Sequence, residues 1–365
     1  MNLQTFTVQL MTKLEALYDQ WCGLQPLSSR KQYLLSQRFT VDYNFNSNHI
    51  EGNTLTYGQT ELLLILGKVS GEGDLKDFVD MKASQVGFEM MREAVKLNDT
   101  PLTQNFIRQL HKVLLREDYT VYRNLPGGLQ TSYVIHAGQY KTRPNSVITR
   151  YGDRFEYASP EETPALMADL VDWYNEAEQS GNYTPVELAA LFHYRYIRIH
   201  PFEDGNGRIA RLMVNYILAR HDWPMIVVRS RNKWKYIEAL HKSDVKVGPD
   251  PSAGAHASLK DITSFLSYFN QLVATELKYN IEFATETLSN VWWYDGQKIV
   301  FRSPSSATIL NAIAEKPGIT VDEIAIKAGI VPRAVKKQLS NMVEKGYIQR
   351  SSPDNSWYVF ASQSI

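Results

Sequence analysis

Cysteine is nearly absent: Cys22 stands alone in 365 residues, which excludes a disulfide framework or a cysteine metal site within one chain. Net charge is absent too, with 39 basic and 39 acidic residues, so no whole-molecule field draws nucleic acid or an anionic membrane. No run approaches the roughly 20 apolar residues of a membrane helix. The start, Met1 to Tyr18, is amphipathic and lacks the basic-then-apolar layout of a signal peptide. Internal repeats and low-complexity tracts are also missing. These absences lead us to expect a cytoplasmic protein with no membrane association. The chain is 44% apolar, enough to bury a sizeable core, and its length suits a main body plus a smaller unit.

Most of the chain has helical periodicity. Apolar residues recur every three or four positions over Leu3–Tyr18, Tyr57–Leu66, Asp77–Leu97, Thr103–Leu115, Thr163–Glu178 and Ser258 to about Ala284. Between Tyr122 and Tyr157 the texture changes to Gly, Pro, Asn, Thr and β-branched residues. There Val147-Ile148-Thr149 and Arg154–Tyr157, divided by Tyr151-Gly152-Asp153, predict a small hairpin. Gly248–Gly254 reads as a loop. The firmest helix start is Thr184-Pro185-x-Glu187, an N-cap with a first-turn proline and a capping box. Leu188, Leu191, Phe192, Tyr196 and Ile199 follow on one face. A second stripe, Ile209, Leu212, Met213, Tyr216 and Ile217, comes after a polar loop, so that loop joins two core helices.

That loop, His200-Pro-Phe-Glu-Asp-Gly-Asn-Gly-Arg208, carries the chemistry. Gly205 and Gly207 allow close backbone approach, and the helix that follows presents free amides and a positive dipole end. Arg208 and Arg211, three apart on that helix, can reach one ligand and suit a polyphosphate. Asp204 beside an anion cradle makes sense with a bridging Mg²⁺. His200 is the side chain whose ordinary pKa, about 6.5, suits proton abstraction near neutrality. The residues point to phosphoryl or nucleotidyl transfer.

His200-Pro-Phe-Glu-Asp-Gly-Asn-Gly-Arg-Ile-Ala-Arg211 resembles the Fic signature, H-x-F-x-(D/E)-G-N-G-R-x-x-R, without departure. The resemblance implies a mainly α fold, a Fic-type helical bundle with a small β-hairpin flap. It implies transfer of AMP from ATP to a hydroxyl of a target protein, or of the chain itself. His200 would be the general base, and Asp204 would hold Mg²⁺ on the α- and β-phosphates. Gly205, Asn206 and Gly207 would cradle the phosphates, Arg208 and Arg211 would bind the pyrophosphate end, and Phe202 would anchor the loop. Gly138–Val147 matches the flap that holds the target as an added strand, and Tyr236 resembles an adenine-side position. Relatives that transfer phosphocholine or phosphate keep similar loops, so the donor is inferred.

Ser47-Asn-His-Ile-Glu51-Gly52 resembles the family's inhibitory motif, (S/T)-x-x-x-E-(G/N). Ser47 and Glu51 share a helix face, and Gly52 can end that helix. The resemblance implies an N-terminal brake in which Glu51 pairs with Arg211 and misaligns ATP. The same residues fit the reverse reaction, removal of AMP. Self-association into a homodimer that buries this region is a further expectation.

Past residue 303, Ala307–Ala314, Thr320–Ala328 and Pro332–Lys345 predict three short helices. Tyr347–Gln349 and Trp357–Phe360 flank an Asp354-Asn355 turn, and the whole resembles a winged helix-turn-helix. Ser303–Arg350 holds seven Lys or Arg against four Asp or Glu, a net of +3, and Arg333, Lys336 and Lys337 lie on the third helix. DNA binding, as in a nucleotide-sensing regulator, is one reading, and protein docking or dimerisation is another. A nucleotide-binding module without catalysis is a third class, which His200 speaks against. The expected divisions are an N-terminal helical region over 1–110 with the inhibitory helix near 42–52, a catalytic core over 111–285, a linker over 286–302 and the winged unit over 303–365.

Overall fold

The computed structural model describes residues 3–69, 72–97, 99–124, 130–148, 152, 154–287, 290–316, 318–350, 356–359 and 362–363. In chain order the elements begin with α1 (Leu3–Cys22), α2 (Ser29–Ile50), α3 (Tyr57–Leu66), α4 (Leu75–Val95) and α5 (Gln104–Leu115). Two hairpins follow, β1 (Tyr119–Asn124) with β2 (Gln130–Ile135) and β3 (Ser146–Ile148) with β4 (Arg154–Glu156). Then come α6 (Thr163–Ser180), α7 (Pro185–Ile199), α8 (Asn206–Arg220), α9 (Lys233–Val247), α10 (Pro251–Ala255) and α11 (Thr263–Thr285). The C-terminal part holds β5 (Val291–Tyr294), β6 (Gln297–Val300), α12 (Pro304–Glu315), α13 (Val321–Ala328), α14 (Pro332–Glu344), β7 (Ile348–Arg350), β8 (Trp357–Val359) and β9 (Ser362–Gln363). The fold is mainly α, with small antiparallel strand pairs, and carries a C-terminal winged helix-turn-helix. Among the described residues no helix is long and apolar enough to cross a membrane.

The chain divides into two compact units. One comprises Met1–Glu15 with Ala83–Ala274, the other Ala16–Lys82 with Thr275–Ile365. The sequence reading keeps residues 1–110 together, whereas compactness groups 16–82 with the C-terminal part.

In the first unit α7 is central. Thr184 and Glu187 cap it reciprocally and Pro185 opens it. Val186 through Tyr196 is buried at every position but Glu187, and Arg198 and Ile199 are buried as well. A helix buried on all sides has no solvent face on which to slide. The expected stripe of α8, Ile209, Leu212, Met213, Tyr216 and Ile217, is buried too. At the end of α7, Arg198 Nη2 donates to the carbonyls of Gly248 at 2.9 Å and Asp250 at 2.8 Å. This anchors residues 248–254, which are not only loop: Asp250 caps α10 by accepting from Ser252 N–H. A Cβ at Gly254 would collide with the Arg198 guanidinium. The β3–β4 ladder runs Ser146↔Glu156 to Ile148↔Arg154. Thr149, Tyr151 and Asp153 of the expected hairpin lie outside the described residues. The longer β1–β2 ladder, Tyr119↔Ile135 to Asn124↔Gln130, is not expected from the sequence; it begins just before the Tyr122–Tyr157 stretch of Gly, Pro, Asn, Thr and β-branched residues and runs into it.

In the second unit, residues 286–302 are more than a linker, because β5 and β6 pair from Val291↔Val300 to Tyr294↔Gln297. Alternation sends successive β5 side chains to opposite faces. Trp292 enters the winged-helix core with Ile309, Leu310, Ile324 and Leu339. Trp293 joins Phe283 and Val291, against which Leu34 and Leu35 of α2 pack. Polar groups reinforce this seam: Asn46 donates to Asp295 at 2.7 Å, Arg38 to Asn280 at 2.7 Å, and Tyr57 to Asp42 at 2.7 Å. The winged helices follow the expected pattern, with a Thr320–Glu323 capping box and Gly329 at φ +63°. β7 pairs with β8, while the Asp354-Asn355 turn and Phe360 lie outside the described residues.

Glu61 of α3 faces this seam, with its Oε2 sealed from solvent and without a hydrogen-bond partner among the described residues. Burial, aided by the neighbouring Asp42, pushes its pKa up to about 8. The folded state thus holds a proton that the unfolded chain releases near pH 4.5. Glu61 therefore contributes stability that is full below about pH 4.5 and is lost as pH rises through about 8. Glu61→Gln should flatten the fall in melting temperature between pH 5 and pH 8.5 by a few degrees or more, on the order expected for ~1–2 kcal/mol. Thermal melts of both proteins across that range check it, and identical slopes would refute the buried proton.

Candidate active site

The loop between α7 and α8 is held shut by its own residues. Asn206 Oδ1 accepts from Phe202 N–H at 3.0 Å and its Nδ2 donates to Phe202 O at 2.7 Å. Its side chain is thus committed to closing the bend, which leaves only its backbone N–H for an anion. Phe202 is fully buried and stacks on His111 at 3.7 Å with a 3° interplanar angle, the anchor the sequence suggested. Gly205 starts α8 at φ +77°, a left-handed conformation that favours glycine. Ile209 N–H closes the first turn on Gly205 O at 3.1 Å, which leaves the amides of Asn206, Gly207 and Arg208 as first-turn donors without an intrahelical acceptor.

His200 terminates α7 in a left-handed conformation, φ +51°, uncommon for a residue with a side chain. Its ring stacks on Tyr157 at 3.9 Å, 12° from parallel. Nδ1 is buried and has no hydrogen-bond partner among the described residues. Burial first, and the Lys141 charge second, push its pKa down to about 3, with the Ile197 carbonyl and Asp204 opposing. The environment thus moves His200 away from the ordinary value assumed from sequence. Burial thus keeps the imidazole neutral at pH 7.

Asp204 Oδ2 accepts from Tyr119 OH at 2.7 Å and lies 3.6 Å from Arg208 Nη2, while Oδ1 accepts from Gly205 N–H at 2.7 Å. Burial raises its pKa, but Arg208, Tyr119 and the Gly205 amide together outweigh it and hold the carboxyl below its ordinary value. Its side chain is 47% exposed, so an ionised oxygen remains open to a cation. No cluster of three metal-ligating side chains occurs among the described residues. One carboxylate completed by ligand oxygens and water is the donor set that suits Mg²⁺, so the residues fit that ion in company with a polyphosphate. Arg208 and Arg211 are both buried, at 6% and 3% exposure.

The flap is laced to this loop along its length. Gly138 sits at φ +78°, its N–H donating to His111 Nδ1 at 2.9 Å and its carbonyl accepting from Arg108 Nε at 2.8 Å. Lys141 N–H donates to Pro201 O at 2.9 Å, and Lys141 Nζ to Asn145 at 2.9 Å and Ile199 O at 3.1 Å. Asn145 Nδ2 reaches Phe202 O at 3.1 Å. Lys141 is buried, which pushes its amine down to about 7. Beyond these anchors, Ser146 and Val147 of β3 are exposed.

Tyr236, on α9, is 5% exposed, and its hydroxyl meets His193 Nε2 at 2.9 Å. His193 is stacked on Phe265 and held near pKa 3 by burial and then by Arg211. Ser47 and Glu51 belong to the other unit: Ser47 is buried in α2, and Glu51 is the exposed residue that caps its C-terminus before Gly52 at φ +99°. His111 falls in a helix and Tyr119 in no element of the sequence reading, while Lys141, Asn145 and Tyr157 enter it only as members of the flap and hairpin, with no role of their own. Each meets a residue far along the chain: Asp204 for His111 and Tyr119, Ile199 for Lys141, Phe202 for Asn145 and His200 for Tyr157.

A family model described as Fic/DOC family matches residues 101–218, and one described as winged helix-turn-helix DNA-binding matches 307–349. The chain is 26% identical over 237 residues to the protein adenylyltransferase fic-1 of Caenorhabditis briggsae, covering 65% of this chain and 43% of that one. It is 30% identical to the protein adenylyltransferase Fic of Drosophila virilis, covering 65% and 44%. It thus spans less than half the length of these curated relatives. Among solved structures, a Fic-domain-containing signalling protein of Bacteroides thetaiotaomicron is 50% identical with a TM-score of 0.69, covering 74% of this chain and 96% of that one. A Fic family protein of Desulfovibrio desulfuricans shares the fold over 97% of this chain and 95% of its own, with a TM-score of 0.57 and 19% identity. With the signature bend, the flap and a relative matched over almost its whole length, the chain belongs to the Fic/DOC family.

Proposed function

We propose that this chain transfers AMP from ATP to a hydroxyl side chain of a protein. The observation that carries the reading is a neutral, partly buried imidazole at one end of a bend whose other end offers first-turn amides, an ionised carboxylate and two buried arginines. In the reaction the acceptor oxygen bonds to the α-phosphorus as the bond from that phosphorus to the bridging oxygen breaks. His200 takes the hydroxyl proton and pyrophosphate leaves. The amides of Asn206, Gly207 and Arg208 line up on developing negative charge, and Arg208 and Arg211 bind the pyrophosphate end. Asp204 would hold Mg²⁺, which when bound supplies positive charge against the phosphates. The exposed edge at Ser146 and Val147 is where a target segment would add as a strand. Tyr236 is assigned to the adenine side through its family position.

Glu51 is assigned as a brake. The motif Ser47-x-x-x-Glu51-Gly52 supports it, as does its setting at the exposed end of α2. A carboxylate paired with Arg211 would compete with the γ-phosphate and leave ATP misaligned.

The winged unit supports a second activity. Arg333, Lys336 and Lys337 are exposed on α14, the helix that enters the major groove in this class of fold, and the family model over 307–349 is a DNA-binding one.

His200→Ala should lower AMP transfer by about 10²-fold or more, and Glu51→Gly should raise it. Incorporation of labelled AMP from ATP and Mg²⁺ into proteins of a cell extract measures both. Equal labelling by wild type and the Glu51 variant removes the brake, and undiminished labelling by the His200 variant removes the base. For the winged unit, retention of the full chain on duplex DNA should weaken with salt, and replacing Lys336 and Lys337 by Ala should reduce that salt dependence by about two counterions. No retention even at low salt ends the DNA reading.

A further inference from the structure

His111 is fully buried on α5, and each of its ring nitrogens is bonded to a backbone group of the active site. Gly138 N–H donates to Nδ1 at 2.9 Å, so Nδ1 carries no proton. The proton therefore sits on Nε2, which lies 3.0 Å from Asp204 O and donates to it. Those two backbone groups bracket the reaction. Gly138 opens the flap, and Asp204 is the last residue before the amide-bearing start of α8. The ring cannot tilt to follow either one alone, because Phe202 of the same bend lies against its face at 3.7 Å, 3° from parallel.

The surroundings show how closely this seat is built. Arg108, three residues earlier and so on the same face of α5, takes the carbonyl of Gly138 at 2.8 Å. A Cβ on Gly138 would fall 3.0 Å from both Arg108 O and Lys112 Cβ. The peptide around Gly138 is thus pinned to α5 by donor and acceptor alike. On the other side, His111 holds only the backbone carbonyl of Asp204; the carboxylate of that residue has its own holders, Tyr119 OH and Gly205 N–H.

We propose that His111 is a positioning residue that fixes the distance between the flap and the phosphate-binding bend. It acts through Gly138 and Asp204 and touches neither ATP nor the acceptor. The inference rests on the AMP-transfer reading for its kinetic consequence, but the bridge itself is a property of the fold. Near-attack geometry is sensitive to displacements of about 1 Å, which cost on the order of 10²-fold in rate. Releasing the bridge should therefore lower turnover while leaving the nucleotide's own contacts in place.

The test uses the full chain in the Glu51→Gly background, with His111→Phe and His111→Gln added separately. Phe keeps a flat ring against Phe202 and removes both hydrogen bonds. Gln keeps a donor and an acceptor without the ring. The Phe variant is expected to lose at least about tenfold in kcat for AMP incorporation, with the KM for ATP within about twofold. The Gln variant is expected to recover most of that loss. Hydrogen exchange read by mass spectrometry supplies a readout that needs no activity. Peptides spanning 138–147 and 202–208 should exchange faster in the Phe variant, while those of α11 stay unchanged. If the Glu51→Gly parent transfers no AMP, the functional reading fails and the exchange data still decide the bridge. Parent-like exchange over 138–147 and 202–208 in a folded His111→Phe protein overturns the proposal. So does a loss that appears wholly in KM for ATP, or a Gln variant no better than Phe.

Discussion

The site depends on a helix with nowhere to go. α7 is buried on nearly every face, so its last residue is placed by the core and not by the loop. His200 sits at that end in a left-handed turn, and the bend that follows is closed by Asn206 on Phe202. The start of α8 is therefore aimed by two helices' worth of packing. A site assembled on rigid elements needs little reorganisation when charge develops, and under the proposed transfer that is the condition in which the amides, Arg208 and Arg211 would do most.

Charge in the site is divided between fixed and suppressed groups. Arg208 and Arg211 are buried guanidinium groups, and Asp204 is held anionic by Arg208, Tyr119 OH and the Gly205 amide. His200 and His193, by contrast, are stripped of charge by burial before any neighbour acts. The same low-dielectric surroundings that would strengthen the arginines' hold on a polyanion keep the imidazoles neutral.

The bend was legible in the sequence because all its parts are local: two glycines, a capped helix before and an amphipathic helix after. The same holds for the winged helices, where Thr320, Glu323 and Gly329 mark both ends of α13. Long-range partnerships were not legible. Nothing near His111 in sequence announces that its ring meets residues 27 and 93 positions away. Nothing near Lys141 announces the Ile199 carbonyl. Residues 286–302 misled because a short hairpin rich in tryptophan has neither helical periodicity nor enough length to assert itself as a domain element. Tyr236 illustrates the opposite problem, since its family position says what it would face but not that its hydroxyl is already taken by His193.

The two adjacent tryptophans of β5 have a mechanical meaning. Trp292 is a member of the winged-helix core, and Trp293 is packed beneath α2, the helix that carries Ser47 and ends at Glu51. A single four-residue strand is therefore the common wall of two hydrophobic interiors. Loosening the winged helices withdraws support from one face of that wall, and the opposite face is what α2 rests on. The helix that ends at Glu51 and the helix-turn-helix thus lie in one compact unit with a strand in common, and truncating the chain after α11 would take away the wall on which α2 packs.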